Sequence, residues 1–184
     1  MVRRQTTKDL LVASFLELAH EHPIDKITVT QIARNCGVSQ PTFYHHFKDK
    51  YDLISWEYAT NAGKIMAGLD KGSYGWRDTL LEGARYFEQN RAYMLNALRH
   101  TSGRDSFVRN VTAINDDLLT KLLCDRMGIA ALPLPLQCHV RIYCHGTVQF
   151  LFDWLSGEVA LTAESVADIW DQSLPQPLRT HLEH

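Results

Sequence analysis

The apolar residues of this chain recur at helical spacing. Leu11, Phe15 and Leu18 are separated by four and then three residues, which places them on one face of a helix. No segment alternates apolar and polar residues convincingly, as a half-buried strand would. The pattern therefore predicts an all-α fold with about nine helices. Beyond the first 48 residues, the helical segments are predicted at 49–70, 76–90, 91–100, 105–127, 136–156 and 163–173.

Glycines and prolines separate these helical segments. Thr6 and Asp9 are spaced as a capping box, and they predict where the first helix begins. Pro23 ends that helix. The later breaks are predicted at Ser102-Gly103, Gly128, Pro133 with Pro135, Gly157, and Pro175 with Pro177.

The stretch from Ile27 to Lys50 has the pattern of two short helices joined by a tight turn. Thr28 and Ser39 can cap the two helices, because their hydroxyls accept from free backbone N–H groups in the first turn. Gly37 suits the left-handed backbone that ends the first helix, and Pro41 suits the first turn of the second. This is the spacing of a helix-turn-helix unit, whose second helix enters a DNA major groove.

The charge of the chain limits how that unit can bind a polyanion. The formal net charge is −2. Residues 1–50 carry seven Lys or Arg and five Asp or Glu, whereas the remainder carries twelve and sixteen. A polyanion is therefore attracted to the N-terminal part only, and modestly. Two copies that read two half-sites must supply the affinity, so a dimer is expected.

The cysteines and the hydropathy indicate a cytoplasmic protein. Four cysteines without a CxxC pair do not make a disulfide framework, which fits a reducing compartment. No secretory signal is found, and no segment reaches the roughly 18 apolar residues of a membrane span. No membrane association is expected. Residues 182–184 resemble the remnant of a C-terminal affinity tag.

The sequence shows no catalytic motif and no convincing metal motif. HExxH, GxSxG and a glycine-rich phosphate loop are all missing, so neither an enzyme nor a cofactor is expected. Cys138-His139 and Cys144-His145 carry zinc-ligand types. Six residues of helix separate the cysteines by about 600°, or about 240° beyond a full turn, so they face apart. No metal is therefore predicted. A metal- or thiol-dependent enzyme or sensor is kept only as a third hypothesis, behind the two regulator functions given at the end of this section.

The segment ITVTQIARNCGVSQPTFYHHFKDKYDL resembles the DNA-binding head of the tetracycline-repressor (TetR) family of bacterial regulators. The strong match covers residues 7–53. The resemblance implies a head of three helices, a fourth helix that links it to the body, a homodimer made by the last two long helices, and a ligand inside the body. Trp56 and the segment YCHGTVQFLFDWLSG ending at Gly157 are similar to a branch that includes regulators of dihydroxyacetone kinase operons. If the chain resembles that branch, the body would instead bind a partner protein that carries the ligand.

The family match assigns the DNA contacts residue by residue. The recognition helix carries Gln40, Pro41, Thr42, Tyr44, His45 and His46. The Gln40 amide can pair with adenine, and Thr42 and Pro41 can contact a thymine methyl. Tyr44 and His45 can donate to phosphate. Phe43 and Phe47 are predicted to be core, and His46 either contacts DNA or packs against its neighbouring helix.

Other residues are predicted to contact the DNA backbone. Lys50 offers a point charge to a phosphate, and Thr28 and Thr30 stand at a helix start that favours one. Arg3 and Arg4 form an N-terminal arm that either reaches a minor groove or phosphate or is an ordinary solvated terminus. Arg34 and Lys48 are interpreted as solvated charges that add to the local field.

The chain is divided into a DNA-binding head at 1–52 and a body for ligand binding and dimerisation at 53–181. Polar residues within apolar helices could line a ligand pocket, although each also fits ordinary structure; they are Tyr86, Arg99, His100, Asn115, Tyr143, His145 and Gln149. Residues at helical spacing near the C-terminus are predicted to form the dimer interface; they are Val140, Thr147, Leu151, Trp154, Ile169 and Trp170.

The sequence thus predicts a homodimeric regulator that a small molecule of unknown identity releases from double-stranded operator DNA, acting as a repressor. The alternative is an activator or co-regulator of the same fold that responds to a partner protein.

Overall fold

A computed structural model describes residues 6–69, 71–103 and 106–182. Within these ranges the chain forms ten helices, nine of them with seven or more residues, and no strand, which confirms the all-α prediction. The helices are α1 (Thr7–Glu21), α2 (Val29–Asn35), α3 (Gln40–His46), α4 (Lys50–Met66), α5 (Trp76–Gln89), α6 (Arg91–Arg99), α7 (Phe107–Met127), α8 (Leu134–Ser156), α9 (Ala163–Gln172) and α10 (Gln176–Arg179). A 3-10 turn, Ile24–Lys26, connects α1 to the segment before α2.

Side-chain caps set where the first two helices begin. The Thr6 hydroxyl accepts from the backbone N–H of Asp9, and the Asp9 carboxylate accepts from the backbone N–H of Thr6 at 2.9 Å. Thr28 and Gln31 form the same reciprocal pair at the start of α2. Both caps satisfy donors that a helix N-terminus otherwise leaves without partners. The predicted starts of both helices are confirmed.

The turn between α2 and α3 has the predicted geometry. Gly37 has φ of 73°, a left-handed conformation that costs glycine little. The Ser39 hydroxyl then caps α3 by accepting from the backbone N–H of Thr42. Phe43 and Phe47 are 0% and 2% exposed, which confirms that they belong to the core. The outer face of α3 is thus held in place from beneath by two buried rings.

Helix α4 runs without a break through the boundary predicted after residue 52. Asp49 caps it by accepting from the backbone N–H groups of Tyr51 and Asp52, each at 2.9 Å. The apolar core is also continuous across the boundary, since Leu53 and Tyr58 are buried in the same cluster. The division into head and body therefore stays a prediction about function.

The body packs α5 on α9, α7 on α8, and α4 against α7. Helix α8 begins at Leu134, two residues before the predicted start. Pro133 is its N-cap and Pro135 lies in its first turn, where a missing N–H breaks no intrahelical bond. Helix α10 was not predicted, because four residues are too few to show a helical period.

The C-terminal residues close a second apolar cluster. Leu182, predicted to begin a tag remnant, is 3% exposed and packs in the cluster that contains Leu174 and Leu178. Residues 183–184 lie outside the described residues. In the ranges that the structure describes, no helix combines the length and the apolar character needed to cross a bilayer.

Candidate nucleic-acid interface and body cavity

Helix α3 presents its predicted DNA-reading side chains on an open face. Tyr44 is 57% exposed, and its ring contacts the edge of the buried Phe43 ring at a centroid distance of 5.6 Å. Gln40, Pro41 and His45 are exposed as well. The rigid ring beneath fixes the direction of the Tyr44 side chain, so its hydroxyl is presented at a defined position.

Three threonines in this region already have local partners. The Gln40 amide donates to the Thr30 hydroxyl, which joins the starts of α2 and α3. The Thr42 hydroxyl lies 2.8 Å from that of Ser39. The Thr28 hydroxyl donates to Gln31 at 2.9 Å within its cap. These side chains remain at the surface, and their hydroxyls can still accept a hydrogen bond.

The two histidines of α3 differ in exposure. Their rings meet at right angles, 5.1 Å apart, with His45 exposed and His46 half-buried. His46 is thus intermediate between the two interpretations of the sequence, a DNA contact and a packing residue. Arg3 and Arg4, the predicted arm, lie outside the described residues.

Lys50 does not have the free charge that the sequence predicts. Its Nζ donates to the backbone carbonyls of Ile24, Asp25 and Ile27 at 2.8, 2.9 and 2.7 Å. An ammonium has three donors, so none is left for a phosphate. Burial lowers the pKa of Lys50, and the nearby carboxylates of Asp25 and Asp49 oppose that change. The assignment of Lys50 as a phosphate contact is therefore corrected: it closes the end of the 3-10 turn.

The positive charge on this surface must come from elsewhere. Between Ile27 and Lys50, the other cations are Arg34 and Lys48, and both are exposed. They add to the local field that attracts a polyanion.

The same 3-10 turn is held by the body. The Asn96 amide nitrogen, on α6, donates to the carbonyls of Ala19 and His22 at 2.7 and 2.8 Å, and its oxygen accepts from the N–H of Ile24 at 3.0 Å. Just after α6, the His100 ring lies 3.3 Å from the Asp25 carboxylate. His100 was predicted to line a ligand pocket, but it lies at this contact between head and body.

Replacing Asn96 by Ala should reduce the free energy of unfolding by roughly 1–3 kcal/mol, because the carbonyls of Ala19 and His22 and the N–H of Ile24 lose their partner. Urea unfolding followed by circular dichroism measures the change. Asn110→Ala is the matched control, since the Asn110 side chain, half-buried on α7, makes no hydrogen bond to a described residue. Equal stability of the two variants would contradict the role of Asn96.

A cavity of about 120 Å³ lies between α4, α5, α7 and α8, with Trp170 of α9 beside it. Three of the predicted pocket residues, Tyr86, Asn115 and Tyr143, line it together. The sequence did not indicate Tyr58, Trp76 or Cys144, which also line it. Tyr58 lies on the helix interpreted as a connector, and its 3.6-residue period alone does not show which neighbour it faces.

The other predicted pocket residues lie elsewhere. Arg99 is exposed at the end of α6. His145 is exposed on α8, beside a shallow groove that Asp116 and Arg141 also line. The exposed Gln149 donates to Asp153 at 3.0 Å. Helical spacing placed them near the cavity residues, but their side chains point outward.

Next to the cavity, Glu57 is a buried carboxylate with two side-chain donors. The Tyr86 hydroxyl donates to it at 2.9 Å and the Asn61 amide at 2.7 Å. Burial raises the pKa of Glu57, although both hydrogen bonds act in the opposite direction. Since Glu57 belongs to α4 and Tyr86 to α5, this pair joins the cavity wall to the helix that leads to the head.

Most of the predicted dimer residues are covered within a single chain. Val140, Leu151 and Trp154 are at most 2% exposed, and Trp170 is 7% exposed. Thr147 lines the cavity, and only Ile169 is an exposed apolar residue, at 37%. Those four buried positions are corrected to internal packing.

A different face of α8 is open. Leu134 and Ile142 are each 70% exposed, and Cys138, His145 and Gln149 are exposed on the same helix. The spacing of four, four, three and four residues places these five on one side of α8. Cys144 is buried, so the two cysteines of α8 face apart as their spacing predicts.

A helix-turn-helix with an open second helix, joined to an all-α body that contains a cavity, is an arrangement that DNA-binding regulators use. The profile of "Bacterial regulatory proteins, tetR family" matches residues 11–55. The helix-turn-helix and the start of α4 are thus similar to the N-terminal part of this family.

Two curated relatives share the N-terminal part. One is the HTH-type dhaKLM operon transcriptional activator DhaS of Lactococcus lactis, 24% identical over 87 residues, which are 47% of this chain and 46% of the relative. The other is the class A tetracycline repressor protein of transposon 1721 of Escherichia coli, 29% identical over 117 residues, 62% of this chain and 53% of the relative. The matched part thus spans about half the length of each relative.

Two solved structures share the whole fold. The dihydroxyacetone kinase operon activator DhaS has a TM-score of 0.62 at 17% identity and covers 96% of both chains. A TetR transcriptional regulator from Rhodococcus sp. RHA1 has a TM-score of 0.64 at 18% identity and covers 95% of this chain and 97% of its own. At these identities the likeness concerns the fold.

Proposed function

We propose that this protein is a homodimeric transcriptional regulator that binds operator DNA through α3 and releases it when a small molecule enters the body. The observation that carries the proposal is the open face of α3. On the opposite side of the helix, Phe43 and the C-cap residue Phe47 are buried in the core, whereas Gln40, Tyr44 and His45 are exposed. An exposed aromatic and polar face on a rigid seven-residue helix suits a major groove.

A gel-shift experiment with the DNA upstream of the protein's own gene tests this proposal. Tyr44→Ala should weaken binding roughly tenfold or more, because a contact that positions the protein on the duplex is lost. The variant should fold normally, since Tyr44 is 57% exposed. His20→Ala, an exposed substitution on α1, is the control. Undiminished binding by the Tyr44 variant, or no binding by the native protein at low salt, would contradict the proposal.

One exposed face of α8 supports the dimer in the proposal. We call it the α8 face, and it contains Leu134, Cys138, Ile142, His145 and Gln149. Leu134 and Ile142 are each 70% exposed and lie about two helical turns apart, with Cys138 between them. Two-fold pairing of α8 faces would cover Leu134 and Ile142 of both copies.

The cavity supports the effector part of the proposal. It is partly enclosed, mainly apolar and lined by residues of five helices, as ligand sites in helical bodies are. Tyr58 and Tyr86 connect its wall to α4, because Tyr58 belongs to α4 and Tyr86 donates to Glu57 of α4. A molecule that fits better when α4 is displaced would favour a head orientation that does not match the operator.

A second candidate is activation in place of repression. The dihydroxyacetone kinase operon activator shares the fold along 96% of the chain. With activation we keep the alternative that a partner protein, and not a free ligand, delivers the signal. Reporter transcription from the bound promoter, measured with and without this protein, separates the two. Repression predicts higher transcription without the protein, and activation predicts lower transcription.

A further inference from the structure

The lining of the cavity indicates which chemical class of molecule it accepts. None of the described residues that line it is acidic, basic or a histidine. Cys144 contributes a thiol that is neutral at ordinary pH, because burial raises its pKa to about 12. A charged ligand would lose its hydration here without gaining a partner of opposite charge on the wall.

Most polar groups on the wall already have partners. The hydroxyl of Tyr143 donates to the Trp170 carbonyl at 3.0 Å, that of Thr147 to the Tyr143 carbonyl at 2.8 Å, and that of Tyr86 to Glu57 at 2.9 Å. Thr79 donates to the carbonyl of Gly75. None of these hydroxyls has a proton to offer a ligand without breaking an existing bond.

Three residues of the wall carry N–H donors without an acceptor among the described residues; they are Asn115 and, through their indole N–H groups, Trp76 and Trp170. The Oδ1 of Asn115 accepts from the Tyr58 hydroxyl at 2.6 Å, which fixes the orientation of the amide. Its Nδ2 carries two donors, and neither has an acceptor among the described residues. The two indole N–H groups are buried, whereas Asn115 is half-buried, so its oriented amide is the donor that best suits an acceptor oxygen on the ligand.

The volume of the cavity and the aromatic rings on its wall limit the size and the shape of the ligand. A cavity of about 120 Å³ compares with an engineered apolar cavity of roughly 150 Å³ that holds benzene. Tyr58, Trp76 and Phe87 contribute aromatic rings, which favour a flat ligand. Aromatic faces also attract cations, but Glu57, a carboxylate hydrogen-bonded to the wall residue Tyr86, already accepts from both Tyr86 and Asn61.

We propose that the effector is an uncharged molecule of about one ring, mostly apolar, with one acceptor oxygen that Asn115 Nδ2 binds. This inference rests on the proposed function only in calling the molecule an effector, since binding can be measured without DNA.

Four probes of similar size separate the chemical classes: acetophenone, its hydrocarbon analogue α-methylstyrene, benzoate, and phenyltrimethylammonium. Quenching of tryptophan fluorescence reports binding, because Trp76 and Trp170 line the cavity. Acetophenone should bind roughly three- to tenfold more tightly than α-methylstyrene, the ratio expected from one neutral hydrogen bond. Both ions should bind at least tenfold more weakly than acetophenone.

Variants test whether Asn115 is the donor. Asn115→Leu should remove the preference for acetophenone but retain the binding of α-methylstyrene, which shows that the variant is folded. Tyr58→Phe removes the partner of Asn115 Oδ1 but leaves Nδ2, so a preference for acetophenone should remain. Asn110→Leu, on the same helix, is the control and should behave as the native protein. A preference that survives in Asn115→Leu, or tighter binding of phenyltrimethylammonium, would overturn the inference.

The same probes in a gel shift separate this inference from the proposed function. Selective binding of acetophenone without any change in the DNA complex would keep the ligand class and contradict effector-controlled release. Release of DNA by the cation alone would keep the proposed function and overturn the ligand class.

Discussion

Replacing Lys50 by Met should destabilise the protein by roughly 2–4 kcal/mol. The Lys50 ammonium donates to three carbonyls within 2.9 Å, and a hydrogen bond to a charged group contributes about 1.5–3 kcal/mol. The expected loss is smaller than the sum of three such bonds because water can reach the exposed carbonyl of Asp25 in the variant. Methionine keeps an unbranched apolar side chain but supplies no donor. The free energy of unfolding in urea measures the loss.

Lys48→Met is the matched control for this prediction. Lys48 lies two residues before Lys50 and carries the same charge, but its side chain is exposed. Its replacement should therefore change stability by no more than about 0.5 kcal/mol. Its effect should be on DNA binding, as weaker affinity and a smaller salt dependence. If both variants were equally stable and equally weak on DNA, Lys50 would be a phosphate contact as its sequence position suggests.

Replacing Ile142 by Arg should give a monomer that binds operator DNA at least roughly 100-fold more weakly. Ile142 is 70% exposed at the middle of the α8 face, and a two-fold axis would bring two added charges together. Losing the second head removes the gain of roughly 10²–10⁴ that linked binding provides. Sedimentation gives the mass and gel shift gives the affinity.

Ala92→Arg serves as the control, because it adds the same charge to an exposed position on α6. It should leave both the mass and the DNA affinity unchanged. A dimeric Ile142 variant would place the interface on another surface of the chain.

The head could be predicted from the sequence in detail because its signals are local. Thr28, Gly37 and Ser39 each determine the backbone within a few residues, and the structure shows the caps and the turn where expected. The role of Lys50 could not be predicted in this way. Its carbonyl partners lie 23 to 26 residues earlier in the chain, a distance that no local pattern reports.

The body shows a different kind of failure. Helical spacing correctly grouped Val140, Leu151 and Trp154 on apolar positions of α8, yet it could not say whether the chain itself or a second copy covers them. One chain covers all three. The exposed alternative, Ile142, lies between polar residues and seemed unremarkable by pattern alone. Tyr86, Asn115 and Tyr143 come from three helices, and only packing brings them to one cavity.

The contacts of α6 with α1 and the turn before α2 affect whether the DNA-binding head can be transferred to another regulator. Phe15 packs edge-on against Tyr93 at 6.2 Å, and Asn96 makes three hydrogen bonds to the end of α1 and the start of the turn. A fragment cut after residue 52 would leave both the ring and the turn uncovered. A transplanted head would therefore need a host whose sixth helix offers the same ring and amide, so the portable unit includes residues that never approach DNA.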